Sequence, residues 1–374
     1  MAKETVTILC SGVALGVYVP SLIVSYQLQS KGLATEVVTL ENLIFKEKRR
    51  RIPLTKVAFH RNFKVALAAE KLLRDIVPSL DPFLVSNLLQ FWKEENRRCF
   101  IVFSGFWLPI LERYVRSRSS QDISVDLCHV DSAISPSWKL YNKDYLGFRH
   151  VWFANWSKKM VSFRLRIFPH ETIPYNKRHD RFVIHGGGWG VGTYKDKIPT
   201  LEKLGFKLDV ITYEKRDLVS RNRRNRYFMI DSRWNPWEKD SHNQLQFPPF
   251  GEVKQDEVVE FKNNPAFQEQ YLLTRQSKAV ISKPGGATLL DSVSSATPII
   301  LLEPYGEHEE KNAQLWEYLG FGISYKKWAD CGWTLKVLEE LNSNLMKARE
   351  RIRDYVEWYC ESKEFEKIRP KNIS

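Results

Sequence analysis

One order of pieces occurs twice in this chain, and it restricts the fold more than any other feature of the sequence. Residues 5–40, "TVTILCSGVALGVYVPSLIVSYQLQSKGLATEVVTL", read as a β-branched strand, a glycine-bearing loop, a helix and a second strand. Pro20 suits the first turn of that helix, where a missing N–H is no loss, and Gly32 suits its stop. Residues 181–213 begin again: "RFVIHGGGWGVGTY" runs from a strand into a glycine loop, and "PTLEKLGFKLDVITY" adds a short helix, Gly205 as its end, and another strand. Units of this kind build parallel sheets covered by helices. Strand-like "CFIVFS" and "ISVDLCHV" extend the first set, and the proline- and charge-rich "PHETIPYNKRHDR" at 169–181 reads as a linker. The expected fold class is therefore α/β, with two Rossmann-like domains over 1–170 and 171–335. An amphipathic helical tail, 336–374, is expected to pack back on the first domain. The 374 residues suffice for two cores.

Composition narrows the setting. Five scattered cysteines with no CxxC pair suggest neither a disulfide framework nor a zinc site, and fit a reducing compartment. No run of about 18 uncharged apolar residues exists to form a spanning helix. "MAKETVTILCSG" enters a strand without the layout of a signal peptide, so cytoplasmic residence is the expectation. A net charge of +13 points to acidic partners: nucleic acid, anionic lipid or a phosphorylated substrate.

The chemistry concentrates in "SKPGGATLLDSVSSATPIILLEPYGEHEEKNA", residues 282–313. Pro284 holds Lys283 extended, Gly285 and Gly286 permit a tight turn, and a helix begins near Ala287. In open α/β sheets ligands bind at the carboxyl ends of strands, where helix N-termini offer free N–H groups. A diphosphate suits that place, with Lys283 adding charge. Thr288, Asp291 and Ser292 share a helix face, and the Asp291 carboxylate suits ribose hydroxyls. The competing reading makes Thr288 and Asp291 a capping box for their own helix. Downstream, Glu307, His308 and Glu309 follow the buried run "TPIILLEP". They suit sugar hydroxyls, or as helix-start acids they simply complement the helix dipole.

This ordered series resembles the nucleotide-sugar-binding region of GT-B-fold glycosyltransferases. The branch it is most similar to holds the peptidoglycan N-acetylglucosaminyltransferase, the diacylglycerol glycosyltransferases and the UDP-glycosyltransferases. The residues that carry the resemblance are Lys283-Pro284-Gly285-Gly286-Ala287-Thr288, Asp291, Thr297-Pro298-Ile299, Pro304 and Asn312-Ala313. It implies two domains facing one cleft, and a UDP-linked sugar as substrate with no separate cofactor and no metal. It implies that Gly285, Gly286, Ala287 and Thr288 meet the diphosphate and that Asp291 holds the ribose, where the family usually has Glu. His308 and Glu309 would face the sugar, where many members have Asp-Gln, and Asn312 closes the set. The loop "HGGGWGVG", with Gly187, Gly188 and Gly190, corresponds to a second glycine loop near the phosphates.

The first half departs from the family. Members often carry Gly-His-x-x-Pro after the first strand, with the histidine as catalytic base; here the segment is Gly16-Val17-Tyr18-Val19-Pro20, and valine takes no proton. An inverting transfer needs a base within reach of the acceptor hydroxyl. "VDLCHVDSAISPSW" offers Asp126, His129 and Asp131 beyond a strand, with His129 read alternatively as a loop histidine with structural hydrogen bonds. Tyr18 is a candidate substrate contact. The basic runs "FKEKRRR" (45–51) and "KRDLVSRNRRNR" (215–226) read as solvated helix faces. The competing reading of 45–74, with Phe59, Phe63, Val65, Leu67, Leu72 and Leu73, is a peripheral contact with anionic membrane. The expected function is inverting sugar transfer to a small-molecule, lipid or envelope-precursor acceptor. The alternatives are a donor-binding pseudoenzyme, prompted by Val17, and a basic nucleic-acid-binding protein. The latter lacks any accompanying RRM, zinc-finger or helix-turn-helix signature, so no nucleic acid partner is expected.

Overall fold

A computed structural model describes residues 4–368 apart from 73, 119–122, 142–147, 168–171, 219–221 and 255–256, with side chains described to 363. The expected domain boundary at 170/171, Leu73 and part of the second basic run lie outside the described residues.

The first half holds a five-stranded parallel sheet. Its spatial order is Ala34–Thr39, Thr5–Cys10, Cys99–Val102, Ser124–His129, Arg149–Trp152. The second half holds seven strands in the order Phe250–Val253, Arg226–Ile230, Leu208–Thr212, Phe182–His185, Ala279–Ser282, Ile299–Leu301, Gly322–Ser324. All pairs in it are parallel except the edge pair Arg226–Ile230 with Phe250–Val253. The reason is visible in burial. Val183, Ile184, Val280, Ile281, Ile299 and Ile300 are fully enclosed, so these strands bury both faces, as parallel strands under helices do. In both sheets the first strand lies inside the sheet, with neighbours on either side. The chain therefore reverses direction there and leaves a crevice at the carboxyl ends.

Several details differ from the sequence expectation. The first helix runs Leu15–Ser30, so Pro20 lies inside it rather than in its first turn. Gly32 does end it, at φ 82°, with the Leu33 N–H returning to the Leu28 carbonyl. The tail is two helices, Leu335–Arg349 and Tyr355–Ile368, parted by a two-residue strand, Arg353–Asp354, that pairs with Phe163–Arg164. The first of them buries Leu338 and Leu341 in the second half's core, while Tyr355, Val356 and Tyr359 join the core of the first half beside Cys128, Phe153 and Leu165. Within the expected linker, Arg178 is buried and donates to five acceptors: the carbonyls of Ile173, Ser277, Ser295 and Ala296, and Thr297 Oγ1. Desolvation pulls this guanidinium down to about 10, and among the described residues no carboxylate pairs with it.

The two halves meet through packed surface. Tyr18, Val19, Leu22 and Ile23 of the first helix share one apolar cluster with Phe247, Phe267, Tyr271 and Leu290 of the second half. Tyr18 is fully buried and donates its hydroxyl to the Gln246 carbonyl at 2.8 Å. It joins the halves and is not open to substrate.

Candidate donor and acceptor site

Two adjacent strands, Phe182–His185 and Ala279–Ser282, pair in register with Ser282 opposite His185. Each ends in a glycine turn, and the turns converge. Lys283 threads between them: a methyl on Gly187 would lie 3.6 Å from its Cε, and one on Gly192 would lie 4.0 Å from its Cδ. The turn after His185 is shaped from within, since His185 Nδ1 accepts from the Gly187 N–H at 2.9 Å and lies 3.4 Å from Ser282 Oγ. Burial, with Lys283 nearby, pulls His185 down to about 4, so it is the neutral, accepting form that holds the loop. Gly187 and Gly190 need their glycines for φ of 73° and 59°.

The helix Gly286–Ser295 starts at the second turn, with Gly285 as N-cap and no side-chain cap. The capping-box reading of Thr288 and Asp291 is thereby corrected. The N–H groups of Gly286, Ala287 and Thr288 lack intrahelical partners by geometry, and Gly286 lies against Asp131 and Val130 of the first half. One turn on, the half-buried Asp291 carboxyl makes no hydrogen bond or ion pair among the described residues, and desolvation raises it to about 7. An acid kept free of partners beside open N–H groups is a place for a polyhydroxyl ligand with an anionic end.

A clamp from the second half grips the first. Asn312, fully buried, donates through Nδ2 to Asp131 Oδ1 at 2.8 Å and to the Pro284 carbonyl at 2.9 Å, and its Oδ1 accepts from the Ser132 N–H at 2.7 Å. Asp131 is thus held at the helix start. A methyl on Gly286 would sit 3.0 Å from Asp131 Oδ1 and 3.1 Å from the Val130 carbonyl oxygen. Gly286 is small because the opposite half is there.

The other two candidate bases do not reach this place. Asp126 is buried in its strand, takes Arg149 Nε at 2.8 Å and Nη2 at 2.9 Å, and accepts from the Tyr355 hydroxyl at 3.1 Å. Burial raises its carboxyl despite Arg149, and both oxygens are occupied; it is a structural ion pair. His129 is stacked on Trp152 at 4.1 Å, lies 4.6 Å from Trp138, and has Nε2 2.9 Å from His150 Nδ1. Burial and His150 pull it down to about 3, which makes it a poor proton acceptor near neutrality. Successive residues of a strand face opposite sides. Asp126 therefore enters one core and His129 the other, and only Asp131, past the strand end, meets the crevice.

Glu309 is also placed differently from its expected sugar contact. It is buried, ion-paired with Lys283, and accepts the Tyr305 N–H at 2.7 Å. Lys283 spends its charge on that pair. His308, next to it in the first turn of the helix Glu307–Tyr318, is half-buried.

Residues that the sequence reading missed secure the first glycine loop. His60 was part of a segment read as surface; it is buried in the second half, with Nδ1 2.8 Å from the Gly190 carbonyl and Nε2 2.8 Å from Asp217. Burial raises the Asp217 carboxyl, but the His60 hydrogen bond, the Glu214 N–H and Lys195 outweigh it and leave it well below the usual carboxylate range. Phe59 lies on Trp189 at 5.9 Å, and a methyl on Gly188 would meet Leu15 at 2.4 Å. The loop's glycines thus serve close approach of the first half as well as any ligand. The segment 45–74 divides accordingly: Phe59 and His60 turn inward, while Leu54, Val65 and Leu72 stay exposed. Lys56 Nζ lies over Trp189 at 5.2 Å and Trp237 at 5.6 Å, and burial pulls it down to about 8. Among the described residues no helix is long and apolar enough to cross a membrane.

No family model and no curated protein matches the chain. Solved structures do. The glycosyltransferase SnogD from Streptomyces nogalater superimposes with a TM-score of 0.55 at 11% identity, over 97% of this chain and 99% of that one. MurG of Acinetobacter baumannii gives 0.51 at 12% identity, over 96% and 98%. SsfS6, a Streptomyces sp. SF2575 glycosyltransferase complexed with thymidine diphosphate, gives 0.52 at 11%, over 95% and 99%. Two doubly wound α/β halves meeting at one crevice, matched from end to end by these enzymes, give this chain the GT-B fold of glycosyltransferases.

Proposed function

We propose that the chain transfers a glycosyl group from a nucleoside diphosphate sugar to an acceptor hydroxyl, with inversion. The observation that carries this reading is the Asn312 clamp, which brings the Asp131 carboxylate of the first half to the N-terminus of Gly286–Ser295. The N–H groups of Gly286, Ala287 and Thr288 receive the diphosphate, aided by the helix dipole, and no metal is required for that charge. The nucleotide sugar is a substrate, and no separate cofactor takes part. Asp291 accepts hydrogen bonds from ribose hydroxyls, and His308 faces the sugar. The acceptor oxygen attacks the anomeric carbon as the bond from that carbon to the diphosphate oxygen breaks. Asp131 takes the hydroxyl proton, and the diphosphate leaves with the electron pair. UDP is the expected carrier; the thymidine diphosphate held by SsfS6 makes TDP the rival. Exposed Leu54, Val65 and Leu72 beside Arg51 and Lys64 form a face for peripheral contact with anionic bilayers.

The test is release of nucleoside diphosphate from UDP- and TDP-sugars with hydroxyl acceptors, the product's anomeric configuration being read by NMR. Inverted product that disappears with Asp131→Asn supports the reading. A covalent sugar–enzyme intermediate overturns it. Val17, where relatives place a base, favours a second reading as a donor-binding protein without turnover. Tight nucleotide binding with no transfer to any acceptor would establish that one.

A further inference from the structure

A cavity of about 370 Å³ lies between the halves, lined by no residue of the Gly286 turn, and its chemistry is one-sided. Lys46, Arg49 and Arg50 line it from the first half; Trp237 and Glu238 line it from the second. The three cations come together because the short helix Lys46–Arg49 sets positions three and four apart on one face. Lys48 turns elsewhere, to the Pro78 carbonyl and Ser79. No carboxylate pairs with the three among the described residues. Arg49 Nη1 reaches two neutral oxygens, the Glu41 carbonyl and Asn42 Oδ1, at 3.4 Å each. Glu238, the one acid of the wall, accepts from Asn235 Nδ2 at 3.0 Å. Three cations against one acid leave a surplus of two positive charges around one concave space.

The cavity also belongs to the crevice. Its second wall abuts the loop after the first strand, since a methyl on Gly12 would lie 2.7 Å from Pro236. Lys56 then links Trp237 in the cavity wall to Trp189 in the glycine loop. Glu41 fastens this corner by accepting from Ser11 Oγ at 2.6 Å and from the Gly12 and Val13 N–H groups at 2.7 and 3.0 Å.

We infer that this cavity receives an anionic group, phosphate or carboxylate, carried by the acceptor. The inference rests on the glycosyltransferase reading for the word acceptor and on the cavity alone for the anion. Paired arginines grip such groups through parallel N–H bonds, and a lysine adds point charge. The group anchors the acceptor at the carboxyl edge of the first sheet, beside the loop that approaches the donor.

The whole chain, preloaded with UDP or TDP, is titrated with inorganic phosphate, phenyl phosphate and benzoate. At least one of them binds saturably, binding weakens with salt, and the triple variant Lys46→Gln, Arg49→Gln, Arg50→Gln weakens it about tenfold or more, ~1.4 kcal/mol per decade. Glu238→Gln, which removes only the opposing charge, tightens it. These are surface changes, and unchanged nucleotide binding by the triple variant certifies its fold. Competition between anion and nucleotide, or binding indifferent to both variants, overturns the inference. Nucleotide binding without binding of any of the three anions also overturns it and leaves the transferase reading intact. Anion binding by the chain alone, lost in the triple variant with its circular dichroism and melting midpoint unchanged, and no nucleotide binding at all, keeps the cavity and overturns the transferase reading. Vesicles of phosphatidylglycerol and of phosphatidylcholine separate the sources: retention on the former, lost in the triple variant, identifies a lipid headgroup, and its absence beside phenyl phosphate binding identifies a soluble acceptor.

Discussion

Asp291 and Asp131 carry the two halves of the proposed chemistry, and their surroundings set different tests. Burial lifts the Asp291 carboxyl from 3.8 to about 7, so the folded protein keeps a proton there that the unfolded chain has lost. Stability therefore falls as pH rises across that window and is level above it. The full span is worth at most ~4 kcal/mol, and solvent at the half-buried rim screens part of it. Asp291→Asn should be more stable than the parent by about 2 kcal/mol at pH 8 and equal to it near pH 4, as read by urea melts; a constant difference at both pH values contradicts the assignment. Asp131→Asn keeps the oxygen that Asn312 grips and removes the base. Turnover should fall about 10²–10⁴-fold with nucleotide affinity unchanged. The glycine turn and Asp291 were legible in the sequence because a strand end, a turn and a helix start are local. The choice among Asp126, His129 and Asp131 was not. Alternation along a strand says that neighbours part ways, yet which face looks into which core is decided by Tyr355, far off in the chain, and by the packing of Trp138 and Trp152 on His129.

The helix Ile52–Arg61 shows what composition hides. Its neighbourhood is basic and reads as surface, but His60 reaches the Gly190 carbonyl and Asp217 across the crevice. A single buried histidine among charged residues leaves no periodic trace. His60→Ala leaves Asp217 with Lys195 and the Tyr213 and Glu214 N–H groups but without its buried imidazole partner, and should cost about 2 kcal/mol in a urea melt; a loss too small to measure contradicts its role as a latch. Gly286→Ala acts on another element. The added methyl meets Val130 backbone and Asp131 Oδ1, so it should push the clamp away and lower turnover more than global stability. Equal turnover in the alanine variant contradicts the clamp. The tail is the third case. Its amphipathic pattern was readable, whereas the break at Arg353–Asp354 depends on pairing with Phe163–Arg164.

At the scale of the molecule, the restart of the strand–glycine–helix order made two parallel sheets legible. How the halves close was not, because it rests on contacts between residues more than 100 positions apart, such as Tyr18 with Gln246, Asp131 with Asn312 and His60 with Gly190. Deleting residues from 355 onward would uncover Phe153 and Leu165 and strip Asp126 of the Tyr355 hydroxyl. Limited proteolysis should then cut the first half before the second. The same closure is why a nucleotide held by the second half is expected to meet Asp131 of the first. If the Gly285–Gly286 turn and Asp291 hold a nucleoside diphosphate, calorimetric titration of the whole chain with UDP and with TDP will register it. Saturable binding of at least one nucleotide at a single site, weakened about tenfold or more in Asp291→Ala, is the predicted result. Binding of neither nucleotide, or binding that Asp291→Ala leaves unchanged, would contradict it.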